Sequence, residues 1–141
     1  MTLATISDVK RLEELILQAP QVDLLTTHNL ENGMYARTIY LQPGTVLTGA
    51  VHKTDHINIV FGDITVTTDE GVQRITGYHV INTKAGSKRA GFAHAATAWT
   101  TICKTTKTSL EEIEDELVED AGMLQTRQPA IASNHVKQLE A

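Results

Sequence analysis

The stretch that decides the fold is residues 44–62, GTVLTGAVHKTDHINIVFG, in which apolar and polar residues alternate. Alternation predicts β-strands, because successive side chains of a strand point to opposite faces. The spacing predicts one strand over residues 45–52 and a second over residues 56–61. His52 and His56 then lie on either side of the break between the two strands.

The same period of two continues before and after this stretch. Turn-forming pairs such as Asn32-Gly33 and Pro43-Gly44 separate the segments, while residues 21–32 read as irregular chain or a short strand. About eight short strands with no long helix between them predict an antiparallel sandwich or barrel, and not a parallel α/β sheet. The predicted strands cover residues 34–42, 45–52, 56–61, 64–68, 72–76, 80–82, 88–94 and 98–103.

Both ends of the chain have the helical period instead. Residues 7–19 carry one apolar stripe with Ser7 as the candidate cap, and residues 109–121 begin with the capping box Ser109 and Glu112. We therefore divide the chain into an N-terminal helix and lead-in (1–32), a β-barrel (33–107) and an acidic C-terminal helix and tail (108–141).

Composition excludes several classes of function. The 141 residues suit one domain, and the net charge is −5. Residues 108–141 hold 8 acids and 2 bases, whereas residues 1–107 hold 9 acids and 10 bases, so the body is nearly neutral and argues against broad nucleic-acid binding. No apolar run suits a membrane span and the N-terminus does not resemble a secretory signal. The single cysteine, Cys103, reads as a core residue and fits a reducing compartment, so we expect a cytoplasmic location.

Common catalytic motifs do not help to assign an activity. The chain contains no Walker loop, GxGxxG, CxxC, HExxH or GxSxG sequence. Most common enzyme classes therefore have no support in this sequence.

The candidate site residues are histidines and arginines at strand ends and one arginine within a strand. Arg37 has apolar neighbours, and arginine favours the recognition of carboxylate or phosphate. His52 and His56 converge only if residues 53–55 fold the chain back. Arg89 and His94 have opposite parity, so both face inward only if a bulge intervenes near Gly91.

Residues 33–103 resemble a cupin, the small double-stranded β-helix. The first cupin motif matches Gly44, His52, His56 and Gly62, with His56 near the place of the usual glutamate and the usual first histidine missing. The second matches residues 84–86, Lys-Ala-Gly, with Arg89 where a third histidine would fall and His94 five residues further on. The runs AGSKRAGFAHAATAWTT (85–101) and GMYARTIYLQPGTVLTGAVHKTDHINIV (33–60) are similar to small cupin-type proteins of tailed bacteriophages and prophages.

This resemblance implies an all-β, cupin-like antiparallel jelly roll with flanking N- and C-terminal helices. It also implies a homodimer, formed through an exposed barrel face or the terminal helices, in a host cytoplasm or a virion. The barrel pocket is expected to bind a small-molecule ligand. The expected ligand-binding residues are Tyr35, Arg37, His52, His56, Arg89 and His94.

Three functions remain open at this point. The first is a phage accessory protein that holds a small polar or anionic ligand, such as a host metabolite or a nucleotide signal. The second is a metal-dependent hydrolase, isomerase or lyase, with His52, His56 and His94 as ligands of a divalent Zn, Ni, Fe or Mn ion. The third is a structural or virion-associated jelly roll without a ligand.

Overall fold

A computed structural model of the chain describes residues 6–127, which form one curled antiparallel sheet with a helix before it and a helix after it. The strand order in the described part is β1-β2-β7-β4-β6-β3, and β5 pairs with β4. The predicted all-β jelly roll with flanking helices is confirmed. The strands are β1 (Leu25–Glu31), β2 (Met34–Leu41), β3 (Val46–Thr48), β4 (His56–Thr68), β5 (Gly71–Thr83), β6 (Ala90–Ala93) and β7 (Thr97–Lys104).

Strand β4 is one strand of 13 residues, so the predicted turn at Gly62 is wrong. Residues 57–61 pair with β7 and residues 64–66 pair with β6, so β4 changes its neighbour at Gly62. Gly62 has φ 150°, and a Cβ there would lie 2.4 Å from Thr97 Oγ1. The glycine therefore forms the corner at which a continuous strand curls the sheet.

Strand β5 is also a single strand of 13 residues, where the sequence predicted two. Gly77 of β5 lies directly opposite Gly62, and pairing continues through both glycines. Of the two alternatives left open for residues 21–32, irregular chain or a short strand, the structure has the strand: β1 pairs with β2 along its whole length. Residues 25–31 thus belong to the sheet and not to the lead-in.

The helices lie at different parts of the barrel. Helix α1 (Ile6–Leu17) rests near β3, where Glu13 Oε2 accepts hydrogen bonds from Thr48 Oγ1 at 2.7 Å and Lys88 Nζ at 2.8 Å. Because α1 begins at Ile6, Ser7 lies in its first turn and is not its cap. No helix among residues 6–127 has the length and apolarity needed to cross a membrane.

Helix α2 (Leu110–Leu117) closes one end of the barrel. Ser109 caps it as predicted, with its Oγ accepting from the Glu112 N–H at 3.3 Å. The helix ends four residues before the predicted residue 121, because Val118 forms a β-bridge with His52. Two 3₁₀ turns, Ala121–Met123 and Gln125–Arg127, follow. Most of the predicted tail, residues 128–141, lies outside the described residues.

Apolar side chains form two clusters inside the barrel, and the space between them is the candidate site. One cluster packs on the inner face of the curled sheet, and the other packs between the sheet and α2. The first contains Ile39, Leu41, Val60, Ile64, Val66, Ile75 and Ala93. The second contains Tyr35, Cys103, Ile113, Leu117, Val118 and Ala121.

Candidate functional site

A cavity of about 120 Å³ lies inside the barrel, bounded by both apolar clusters. Inward positions of β2, β4 and β7 supply its polar wall, and α2 contributes Glu114 and Leu117 at the closed end. Five of the six predicted ligand-binding residues line it. These are Tyr35, Arg37, His52, His56 and Arg89.

The two predicted histidines meet at the cavity. Their ring centroids are 4.2 Å apart. The chain bends at residues 53–54 between them, which is the fold-back that their convergence required. The bridge to Val118 and a hydrogen bond from the Gly86 N–H to the His52 carbonyl, at 2.8 Å, hold the His52 backbone in place.

Both imidazoles are neutral at pH 7. Burial lowers the pKa of His52 to about 4, and the nearby charges of His56, Arg37 and Arg89 lower it further, against a hydrogen bond with the Ala50 backbone. Burial also lowers the pKa of His56. His56 Nδ1 lies 3.0 Å from the Thr54 carbonyl oxygen, so Nδ1 donates and Nε2 carries the lone pair. The His56 Nε2 is therefore a hydrogen-bond acceptor.

Arg89 is held on the cavity wall by neutral acceptors. Its Nη1 donates to the Thr67 carbonyl oxygen at 2.9 Å, and its Nη2 donates to Thr83 Oγ1 at 2.9 Å. The Trp99 ring lies 5.9 Å from the guanidinium carbon. Burial lowers the pKa of Arg89, although a guanidinium remains protonated at neutral pH. Among residues 6–127, no carboxylate is hydrogen-bonded to Arg89, so its positive charge faces the cavity.

A short polar network continues from Arg89 across the sheet. Thr83 Oγ1 donates to Asn58 Oδ1 at 2.7 Å, and Asn58 Nδ2 donates to Thr101 Oγ1 at 2.9 Å. This network was not predicted from the sequence. Its signal was parity, since Asn58 follows His56 by two residues on one strand and must share its face.

Arg37 is the unsatisfied group of the site. It projects inward from β2, its Nε is buried without a hydrogen-bond partner, and no ion pair to it occurs within residues 6–127. Burial lowers its pKa, whereas the charges of Tyr35 and Glu114 oppose that shift. A buried cation without a hydrogen-bonded counter-charge is costly, so a group that binds ligand accounts for Arg37 better than a packing group does.

Glu114 brings the negative charge of α2 to the cavity, but that charge is already paired. Thr126 Oγ1 donates to Glu114 Oε2 at 2.6 Å, and Arg127 Nε donates to Oε1 at 3.0 Å. The two guanidinium groups of Arg37 and Arg89 therefore leave the cavity with an excess of positive charge. Glu114 was not predicted, because its helix could not be placed against the barrel from the sequence.

Tyr35 and Cys103 complete the wall next to α2. The Tyr35 hydroxyl lies 2.6 Å from Nδ1 of His28, a half-buried residue of β1 that no sequence pattern singled out. Burial raises the pKa of Tyr35 to about 12 and that of Cys103 to about 11. Both groups therefore stay protonated at neutral pH, and Cys103 sits in the second apolar cluster, as expected for a core residue.

His94 does not reach the cavity. It is exposed on the outer face of the sheet, with Nε2 at 2.6 Å from Thr65 Oγ1 and its ring edge-on to Phe92. Strand β6 pairs without a bulge, so Arg89 faces inward and His94 outward. The predicted set of His52, His56 and His94 is thus not assembled, and no group of three or more His, Cys, Asp or Glu side chains in the described part of the chain could hold a metal ion.

Comparison with known proteins bears on the fold. No family model matches the chain, and no curated protein is similar enough to match it. It is similar to the structure of a cupin superfamily protein from Desulfitobacterium hafniense, with 13% identity, 62% of this chain and 82% of that chain covered, and a TM-score of 0.50. KdgF from Halomonas sp. gives 11% identity, coverage of 60% and 81%, and a TM-score of 0.51.

A third structure, of a protein from Neisseria meningitidis, gives 12% identity, coverage of 65% and 95%, and a TM-score of 0.50. Identities this low concern the fold and carry no substrate or activity. The chain has the cupin fold.

Proposed function

We propose that this cupin-type domain binds a small anionic ligand, of the carboxylate class, in the barrel cavity. The observation that carries the proposal is the buried guanidinium of Arg37, whose Nε has no hydrogen-bond partner in the described part of the chain. A carboxylate satisfies such a group with short, charge-assisted hydrogen bonds. Arg89 adds a second positive charge to the cavity wall, where Thr67 and Thr83 hold its guanidinium.

The charge of the cavity favours an anion over a metal cation. Arg37 and Arg89 both contribute to the low pKa of His52, and the repulsion that disfavours a proton there disfavours a divalent ion more strongly. A catalytic zinc site normally has three protein ligands, whereas the described residues bring together only His52 and His56. The residues present therefore do not fit a resident metal.

The size and lining of the cavity restrict the ligand further. Its volume of about 120 Å³ is below the roughly 300 Å³ at which pockets for drug-sized molecules begin, so a short acid fits and a nucleotide does not. His56 Nε2 carries a lone pair and can accept a hydrogen bond from a donor on the ligand. A short carboxylic acid that also carries a hydroxyl group offers an acceptor to the arginines and a donor to His56.

Calorimetric titration with a panel of probes tests the proposal. The panel contains short hydroxycarboxylic acids, the corresponding neutral amides and inorganic phosphate. We expect at least one acid to bind and its amide not to bind. The Arg37→Met substitution should raise the dissociation constant of the acid by about 30- to 100-fold, the loss expected for a charge-assisted hydrogen bond.

The matched control is Arg74→Met, which removes an exposed arginine that pairs with Asp63 outside the cavity. It should bind the acid like the wild type. Failure of every acid to bind the wild-type protein at millimolar concentration, or equal binding by Arg37→Met, contradicts the proposal.

The metal-dependent enzyme is the competing hypothesis, and among the described residues it would rest on His52 and His56 alone. Elemental analysis of protein purified without a histidine tag separates the two. Near-stoichiometric transition metal would support the enzyme and overturn the anion site. A ligand-free structural role predicts a filled barrel, which the cavity does not favour, and the bacteriophage role stays a prediction.

A further inference from the structure

The charges that line the cavity do not balance. The tyrosine, the cysteine and both histidines of its wall are neutral at pH 7. Glu114 is the only carboxylate of the described lining, and it already pairs with Arg127. Arg37 and Arg89 therefore leave two positive charges at the cavity. A ligand with a single carboxylate compensates one of them, and the other guanidinium keeps its charge away from bulk water without a counter-charge.

The two guanidinium groups are held on different walls of the cavity. Arg37 projects from β2, and the charge of Glu114 on α2 opposes the lowering of its pKa by burial. Arg89 reaches the cavity from the segment before β6, and its two hydrogen-bond acceptors belong to β4 and β5. Burial also lowers the pKa of Arg89, and the opposing charge there is Asp69, in the exposed turn between β4 and β5. The two arginines thus have different surroundings.

A row of polar side chains on the inner face of the sheet separates the two arginines. Arg37 lies opposite Thr101 of β7, and Thr101 lies opposite Asn58 of β4, so the three share one face. Asn58 accepts from Thr83 of β5, and Thr83 accepts from Arg89. Neighbouring strands lie about 4.8 Å apart, so two strand spacings put roughly 10 Å of sheet between the backbones of Arg37 and Asn58. The row therefore has one cation at each of its ends.

The histidine pair lies beside this row. His56 precedes Asn58 by two residues on β4, so both side chains face inward. Burial, the charge of His56 and the charges of both arginines lower the pKa of His52, whose ring is next to that of His56. The pair is thus close enough to Arg37 and to Arg89 to be affected by both. It offers a hydrogen-bond acceptor but no counter-charge.

We propose that the ligand of this cavity is a short dicarboxylate, with one carboxylate bound to Arg37 and the other to Arg89. This inference rests on the proposed function, since it adds a second charge to the carboxylate site at Arg37. In a chain of four carbons, with C–C bonds of about 1.5 Å, the carboxyl carbons lie roughly 4 Å apart. Charge-assisted hydrogen bonds of about 2.8 Å at each end extend that reach to guanidinium groups roughly 10 Å apart.

Other small anions satisfy only part of this arrangement. Inorganic phosphate carries its charge around one atom, so a phosphate bound to one arginine leaves the other without a partner. A monocarboxylate bound to Arg37 leaves Arg89 with its two neutral acceptors. A hydroxyl group between two carboxylates can also donate to His56 Nε2. Malate carries all three groups and is therefore the most informative probe.

Calorimetric titration of the full chain tests the second charge. Malonate, succinate and malate are each compared with their half-amides, in which one carboxylate is replaced by a neutral group of similar size and shape. We expect at least one diacid to bind, and the dissociation constants of its half-amides to be at least about tenfold higher, the loss expected for a charge-assisted hydrogen bond. Inorganic phosphate should also bind at least about tenfold more weakly than that diacid.

Replacing Arg89 should remove the preference for two charges. The Arg89→Met variant should bind the diacid no more tightly than the wild type binds a half-amide, and one half-amide should bind this variant as well as the diacid does. Arg74→Met, which removes an exposed arginine outside the cavity, is the matched control and should keep the preference. Thermal midpoints within a few degrees of the wild type establish folding. If Arg89→Met does not fold, Arg89→Gln gives the same readout, and the wild-type comparison requires no variant.

The two proposals fail in different ways. Equal binding of every diacid and its half-amides by the wild type, with loss of binding in Arg37→Met, overturns the dicarboxylate and leaves the single carboxylate site. Tighter binding of phosphate than of every diacid also overturns it, as does a preference for the diacid that Arg89→Met retains. Failure of every acid to bind overturns both proposals.

Discussion

Replacing Arg37 by methionine should stabilise the ligand-free protein while it destroys the site. Arg37 Nε is buried without a partner, and leaving a buried polar group unsatisfied costs about 1–3 kcal/mol. Methionine keeps an unbranched side chain of similar reach and removes the charge. The loss of attraction to Glu114 is small, because Arg127 already pairs that carboxylate. We expect the free energy of unfolding to rise by about 1–3 kcal/mol, or the thermal midpoint by roughly 3–10 °C.

Urea unfolding with linear extrapolation measures this change, and an unchanged slope shows that the variant exposes the same surface on unfolding. Arg74→Met is again the control, because its arginine is exposed and the free energy should change by less than about 1 kcal/mol. At a saturating concentration of the acid, the wild type should become more stable than Arg37→Met, because a ligand stabilises only the protein that binds it. An Arg37→Met variant less stable than the wild type by more than 1 kcal/mol, without ligand, would refute the reasoning.

Three further predictions concern pH and backbone geometry. The pKa of His52 is about 4 in the folded protein and near 6.5 in the unfolded chain, so the unfolded chain binds the proton first as the pH falls. The free energy of unfolding should therefore be greatest above pH 6.5 and fall by roughly 2–4 kcal/mol towards pH 4. Urea titrations of a His52→Gln variant should show a weaker dependence on pH. Affinity for the acid should stay within about twofold between pH 6.5 and 8 in calorimetry, because the arginines remain charged and the imidazoles neutral; a steep change would mean that a histidine titrates in the site. Gly62→Ala should destabilise the fold by more than about 3 kcal/mol, because the new Cβ would overlap the backbone near Thr97. Gly77→Ala has no atom within 4 Å of the new Cβ, so it should cost only the roughly 1–2 kcal/mol of a left-handed backbone conformation. Similar thermal midpoints for the two variants would contradict the corner assigned to Gly62.

The sequence predicted those parts of the fold that depend on local periodicity. Alternation identified the barrel strands, and parity correctly opposed Arg89 to His94. Gly62 was predicted as a turn, and residues 77–79 were left as a break between two strands, because a glycine's neighbours in sequence do not show that another glycine lies opposite it in the sheet. That pairing is a long-range property, and it keeps both strands extended.

The site was predictable only where its residues lie on or beside strands that the alternation identifies. Five of its residues, all on or beside strands, were named from their chemistry and position. Asn58 was missed although its parity with His56 was readable, because an asparagine within a strand gives no signal until the buried face is known. Glu114 depends on where α2 packs, and an acidic helix predicts a solvent-exposed face more readily than a carboxylate turned towards a cavity.

Closure of the cavity by α2 and the turns up to Arg127 has a consequence for the order of events in the cell. A ribosome delivers the chain from its N-terminus, so β1 to β7 leave the exit tunnel before the segment that carries Glu114 and Arg127. The nascent barrel is therefore open at that end, and its two inward arginines are exposed to the surrounding small acids. Under the proposed function, a bound acid is enclosed only after residues 110–127 have left the tunnel and packed on the barrel.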